Sequence, residues 1–165
     1  MELPKRKTTR LPDYNYSSPG YYFITVCTKG KQKLLCDIVG TGLPAGPRIR
    51  FTQQGKIVEN QLQSMTDFYE DIVLDKFIIM PNHVHMIIQV LQDGNGPSGR
   101  PVPTNSKISK FIGTFKRLCN REIGGNIWQY RSYDHIIRGK QDYQKIWNYI
   151  DGNPSKWLED CFYVE

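Results

Sequence analysis

Two of the three histidines in this 165-residue chain stand two positions apart, in the run Met80-Pro81-Asn82-His83-Val84-His85-Met86-Ile87-Ile88. Alternate residues of a strand point to the same side, so a strand here presents His83 and His85 together and turns Val84 away. Two imidazoles on one face form a metal clamp, or else the polar side of a half-buried strand. The motif alone does not choose between them. A second pair of reactive types lies near the C-terminus. Over residues 142–151, Tyr143, Ile146, Trp147 and Ile150 recur at i, i+3, i+4 and i+7 and predict a core-facing helical stripe. Tyr149 lies about 100° from the middle of that stripe, with Asn153 stacked beside it one turn on. A phenol and an amide thus share a face that the core does not need. Pro154 disfavours helical geometry at Asn153, which leaves open a helix that ends before it.

The elements that must hold these residues are legible in outline. Residues 21–28, aromatic and β-branched between Gly20 and Gly30, predict a first strand. Residues 39–50 hold three glycines and two prolines without periodicity and read as a surface loop. Thr52 is placed to cap a helix whose Ile57, Val58, Leu62, Met65 and Phe68 or Tyr69 recur at helical spacing. The apolar runs 71–80 and 83–91, split by Pro81-Asn82, predict an antiparallel hairpin with the histidines opening its second strand. A Gly- and Pro-rich linker is expected over 93–106. Residues 107–121 predict an amphipathic helix with Ile108, Phe111, Ile112, Phe115, Leu118 and Cys119 on one arc and Lys107, Lys110, Arg117 and Arg121 on another. Such a basic arc is a solvated face or a stripe that tracks phosphates. Residues 127–138 read as a strand rich in aromatics.

Length and a 39% hydrophobic content fit one globular domain over residues 1–165. The net charge of +6, from 22 Lys and Arg against 16 Asp and Glu, favours an anionic partner such as nucleic acid. The N-terminal cations Lys5, Arg6, Lys7 and Arg10 are a solvated tail or a phosphate dock. Cys27, Cys36, Cys119 and Cys161 form no C-x-x-C pair and read as reduced thiols, with no chemistry assigned. No apolar run approaches the roughly 20 residues that span a bilayer, and none follows the basic N-terminus, so the expectation is a soluble, cytoplasmic protein.

Taken together, the pair His83-Val84-His85, the helical Tyr149 with Asn153 one turn later and the basic single domain resemble the HUH single-tyrosine transposases. The likeness is greatest to the REP-associated tyrosine transposases. It extends over the aromatic strand 21–28, the block 80–85, the block Trp128-Gln129 through Tyr133-Asp134-His135-Ile136-Ile137-Arg138, and the ending Tyr149-Ile150-Asp151-Gly152-Asn153-Pro154. The resemblance implies an α+β, ferredoxin-like fold, an antiparallel sheet with helices packed on it and the histidine strand central. It implies a metal-dependent endonuclease and strand transferase acting on single-stranded or hairpin DNA through a 5′-phosphotyrosine. By match, Tyr149 is the nucleophile, His83 and His85 are metal ligands, and Asn153 stands where related enzymes place a third, amide-bearing ligand. The implied cofactor is Mg²⁺ or Mn²⁺, because neutral ligands leave a divalent ion its full charge for polarising a phosphate.

Lys107, Lys110, Arg117, Arg121, Arg131 and Arg138 are the expected DNA contacts, and exposed members among Trp128, Tyr130 and Tyr133 can stack on bases. His135 is a candidate auxiliary group, although a lone histidine on an aromatic strand is more often structural. Two other readings stay open: a domesticated binder of structured DNA or RNA that does not cut, and a phosphodiesterase acting through water, for which Tyr149 is dispensable. Monomer and homodimer are both compatible with the sequence, and the short connection 139–141 favours Tyr149 meeting the histidines of its own chain.

Overall fold

The computed structural model describes residues 11, 13–40, 43–92 and 106–164. The N-terminal cations and the linker residues 93–105 lie outside the described residues. The elements are β1 (Gly20–Cys27), β2 (Cys36–Val39), β3 (Arg48–Phe51), α1 (Gln53–Phe68), β4 (Ile72–Met80), β5 (His83–Val90), α2 (Lys107–Ile123), β6 (Tyr133–Ile137) and α3 (Gly139–Gly152). A 3-10 turn, Pro154–Glu159, follows α3.

Four strands form an antiparallel sheet in the order β4-β5-β1-β6, so the histidine strand is central. Without the β2–β3 hairpin, the order of elements is the β-α-β-β-α-β of ferredoxin-like folds, and the α+β expectation holds. Period-two alternation sorts β1 and β5 by face. Tyr22, Ile24 and Val26, with Val84, Met86 and Ile88, join the main core with Val58, Leu62 and Met65 of α1 and Phe111 and Phe115 of α2. The odd-numbered residues turn to the other face. There the register sets His85 opposite Thr25, and Thr25 opposite Tyr133.

Both long helices begin where a side chain can satisfy a free backbone N–H. Thr52 Oγ1 accepts from Gly55 N at 3.0 Å, and Ser106 Oγ accepts from Ser109 N at 3.2 Å. Gly55 is required by close approach, since a Cβ there would lie 1.8 Å from the Leu35 carbonyl oxygen.

Three expected boundaries are corrected. The loop over 39–50 is strand at both ends, because Cys36–Val39 pairs with Arg48–Phe51 in a separate antiparallel ribbon. Four-residue alternations such as Arg-Ile-Arg-Phe are too short to register against flanking glycines, and hydrogen bonds between the strands supply the order. The strand over 127–138 is narrowed to Tyr133–Ile137, with Trp128 making only an isolated bridge to Thr28. The last helix starts at Gly139 rather than at residue 142. Its first turn is held from inside by Asp142, whose carboxylate accepts from Arg138 N at 2.9 Å.

Candidate functional site

The site is built on the sheet face opposite the main core, where β5, β1, α3 and the C-terminal segment meet. Asn82, in the turn before β5, orients the first histidine. Its Nδ2 donates to the carbonyl oxygens of Lys31 at 3.2 Å and Phe162 at 2.7 Å. That leaves Asn82 Oδ1 to accept from His83 Nδ1 at 2.8 Å. With the proton assigned to Nδ1 by this network, His83 Nε2 carries a lone pair, and it is buried without a hydrogen-bond partner.

His85 is held in the same manner. Its Nδ1 lies 2.7 Å from Thr25 Oγ1, and its Nε2 lies 3.3 Å from the Tyr149 hydroxyl. The tautomer that donates Nδ1–H to Thr25 leaves Nε2 as the acceptor of the phenol. The two imidazoles approach edge to face with centroids 4.4 Å apart, and Phe162 covers His83 at 4.6 Å. At 0% and 1% exposure, both rings are removed from water. Burial pushes the His83 pKa down to about 2, helped by His85 and Lys31, and burial pushes His85 down to about 3. Both are neutral imidazoles, the form that ligates metals.

Tyr149 stands on α3 at 43% exposure, its ring edge-on to Phe23 at 6.1 Å. Burial and the nearby Asp160 carboxylate raise its pKa, against a lowering hydrogen bond from Asn153. The predicted stripe of α3 does face the sheet, although Ile150 is its one fully buried member among the described residues. Tyr143 donates to the Asp75 carboxylate and packs on Tyr21 at 5.3 Å, and Lys76 Nζ sits 3.9 Å over the Trp147 ring.

Asn153 keeps helical dihedrals, φ −58 and ψ −45, in spite of the proline that follows. Pro154 instead starts the 3-10 turn, where its missing N–H costs nothing. The Asn153 side chain is buried, and its Oδ1 has no hydrogen-bond partner. A cavity of about 310 Å³ opens beside Tyr149 and Asn153, with Asn148, Lys156, Asp160 and Cys161 in its wall.

Sequence reasoning missed Asp160. His83, His85 and Asp160 each offer a ligand atom, and these atoms lie within 4.8 Å of one another. This cluster could hold a metal ion, and the orphaned Nε2 of His83 fits that use. Asp160 belongs to no motif and no periodic element; it reaches the site because the 3-10 turn folds the chain back over β5.

The other candidates are placed elsewhere. His135 shares the site face but its Nε2 lies 2.9 Å from Asp142 Oδ2, at the start of α3. Lys107, Lys110, Arg117 and Arg121 are on α2, across the sheet from the histidines, and Lys107 Nζ pairs with Asp71 at 2.6 Å. Arg131 and Arg138 are exposed on either side of β6. Tyr130 is 97% and Tyr133 52% exposed, whereas Trp128 is buried in the core and has no face for a base. All four cysteines are free thiols. No helix of the described residues is long and apolar enough to cross a membrane.

No protein-family model matches the chain. A solved structure of a REP-associated tyrosine transposase bound to a REP hairpin superposes with a TM-score of 0.64 at 22% identity, covering 90% of this chain and 73% of that one. The chain therefore shares a transposase-like fold. An uncharacterized protein of Haemophilus influenzae is 32% identical over 176 residues, which span 97% of this chain and 94% of that protein. At that identity and coverage, the chain belongs to the same family as the Haemophilus influenzae protein.

Proposed function

We propose that this protein is a metal-dependent endonuclease and strand transferase for single-stranded or hairpin-bearing DNA, with Tyr149 as its nucleophile. The observation that carries the reading is the convergence of Tyr149 with the two histidines: its hydroxyl is 3.3 Å from His85 Nε2, next to the unpartnered His83 Nε2. The transposase-like fold and the REP hairpin bound by the structural neighbour support it.

In this reading His83 and His85, through Nε2, and the Asn153 amide would hold Mg²⁺ or Mn²⁺. The ion, when bound, supplies positive charge that polarises the scissile phosphate and favours the phenolate. Asn82 and Thr25 hold the imidazoles in the ligating tautomer, which avoids reorganisation when the ion arrives. His85 Nε2 has one lone pair, so a cation held there would take the place of the phenol's proton. Tyr149 then attacks phosphorus: the new bond is from its Oη to the 5′-phosphate, the bond broken is to the 3′-oxygen, and the 3′-hydroxyl leaves with the proton. A 3′-hydroxyl attacking the phosphotyrosine reverses the step and joins strands without ATP. Arg131 and Arg138 are suited to phosphate contact and Tyr130 and Tyr133 to stacking, while the α2 cations can engage only DNA that reaches the far side of the sheet.

The test is a covalent-adduct assay with labelled hairpin-bearing single strands and Mn²⁺. A protein–DNA adduct that Tyr149→Phe reduces by about a thousandfold or more is expected. An undiminished adduct refutes the nucleophile. A second reading, a binder of structured DNA or RNA that does not cut, is favoured by the near-complete burial of both imidazoles. It predicts binding that survives chelation and no adduct on any strand.

A further inference from the structure

We propose that Asp160 is a metal ligand delivered by the C-terminal segment, so that cation binding and docking of residues 154–164 form one coupled equilibrium. This rests on reading His83 and His85 as ligands and is independent of Tyr149's role. The geometric basis is the cluster itself, three ligand atoms within 4.8 Å from a central strand and a segment about 75 residues later in the chain. The donor set is chemically coherent, since two neutral imidazoles and one carboxylate suit a divalent cation such as Mn²⁺.

The segment is also wired to the histidines rather than merely near them. Its Phe162 carbonyl accepts from Asn82, the side chain that sets the His83 tautomer, and the Phe162 ring lies against both imidazoles at 4.6 and 5.8 Å. Asp160 is held in place by Phe162 N, which donates to its Oδ1 at 2.7 Å. Beyond Phe162 and Trp157, the segment's hold on the protein is slight. Trp157 is its one fully buried side chain, while Ser155, Lys156, Leu158, Glu159 and Cys161 are exposed. The remaining ties are peripheral, such as Lys31 Nζ to the Cys161 carbonyl at 3.4 Å. A segment so lightly anchored gains substantially from one strong bond to an ion, and by linkage the ion gains equally from a docked segment.

The experiment uses the full-length protein and Mn²⁺ alone, with no DNA. Mn²⁺ affinity is measured by titration calorimetry or by the EPR signal of the free ion, for wild type, Asp160→Asn and His83→Gln. Asparagine retains the Oδ1 that accepts from Phe162 N and removes only the charge, so the turn survives. In parallel, tryptic cleavage after the exposed Lys156 is followed by mass spectrometry, with Mn²⁺ or with EDTA. Expected are an affinity loss of about tenfold or more in Asp160→Asn, slower cleavage of wild type in Mn²⁺, no such protection in Asp160→Asn, and equal cleavage of the two proteins in EDTA. Wild-type affinity in Asp160→Asn with weakened binding in His83→Gln overturns the role of Asp160 and leaves the histidine site standing. Wild-type affinity in both variants overturns the histidine site as well. Protection by Mn²⁺ that is the same in wild type and Asp160→Asn overturns the coupling.

Discussion

The two faces of the four-stranded sheet are built on opposite terms. On one, Tyr22, Ile24, Val84, Met86 and Ile88 meet Leu62 and Met65 of α1 and Phe111 and Phe115 of α2, all fully buried and apolar apart from the tyrosine hydroxyl. On the other, the buried layer contains Thr25, His83, His85 and Asn153, and two of its polar atoms have no partner. An unsatisfied buried polar atom costs about 1–3 kcal/mol. Trp128 Nε1 in the main core is likewise without a partner, but on the second face the two such atoms are His83 Nε2 and Asn153 Oδ1, both of types that ligate cations.

The contrast between the faces should be widest when the apolar one is hollowed out. Phe111→Ala is expected to cost about 3–5 kcal/mol by urea denaturation, whereas Tyr149→Phe should stay within about 0.5 kcal/mol of wild type while losing the adduct. Equal losses in the two variants would mean that α3 is as much a part of the core as α2.

Acid is expected to act through the polar face. The folded-state pKa values of about 2 for His83 and about 3 for His85 lie far below the ordinary 6.5. Above pH 6.5 the folded and unfolded forms both carry neutral imidazoles, and these groups make no contribution to pH dependence. Below it the unfolded chain takes up protons that the folded one refuses, so stability falls by up to about 1.4 kcal/mol per pH unit for each histidine, until the folded pKa values are reached. Urea midpoints between pH 7 and pH 5 check this, and His83→Gln/His85→Gln should flatten the slope. A slope unchanged in that double variant would assign the acid sensitivity to other groups.

The smallest effect is expected from the outer surface of α2. Lys110→Gln, Arg117→Gln and Arg121→Gln together should leave stability nearly unchanged. If hairpin DNA reaches that surface, they lower the salt dependence of binding by about 0.7–0.9 in log–log slope for each phosphate that is no longer neutralised. An unchanged slope confines DNA to the side that holds Tyr149.

The fold was legible in the sequence wherever one period ran long enough. The alternation in Tyr21 to Cys27 and His83 to Val90 sorts residues between the two faces of the sheet, and the helical stripes of α1 and α2 sort theirs between core and surface, without reference to anything distant. Thr52 announced its own helix. The β2–β3 ribbon was not legible, because each of its strands is four residues long and gains its order from the other. Nor was the burial of Trp128, which depends on α2 packing beside it through Phe115 at 5.5 Å.

For the candidate site the division is similar. That His83 and His85 share a face and that Tyr149 lies off the apolar stripe of its helix can be read directly along the chain, because both follow from the geometry of a single element. That the phenol comes to His85, that Asn82 and Thr25 set the imidazole tautomers, and that Asp160 joins the histidines emerges only on packing. These are contacts between segments far apart in the chain, made by side chains with no periodicity of their own, and nothing fixes them until the sheet, α3 and the C-terminal turn have packed together.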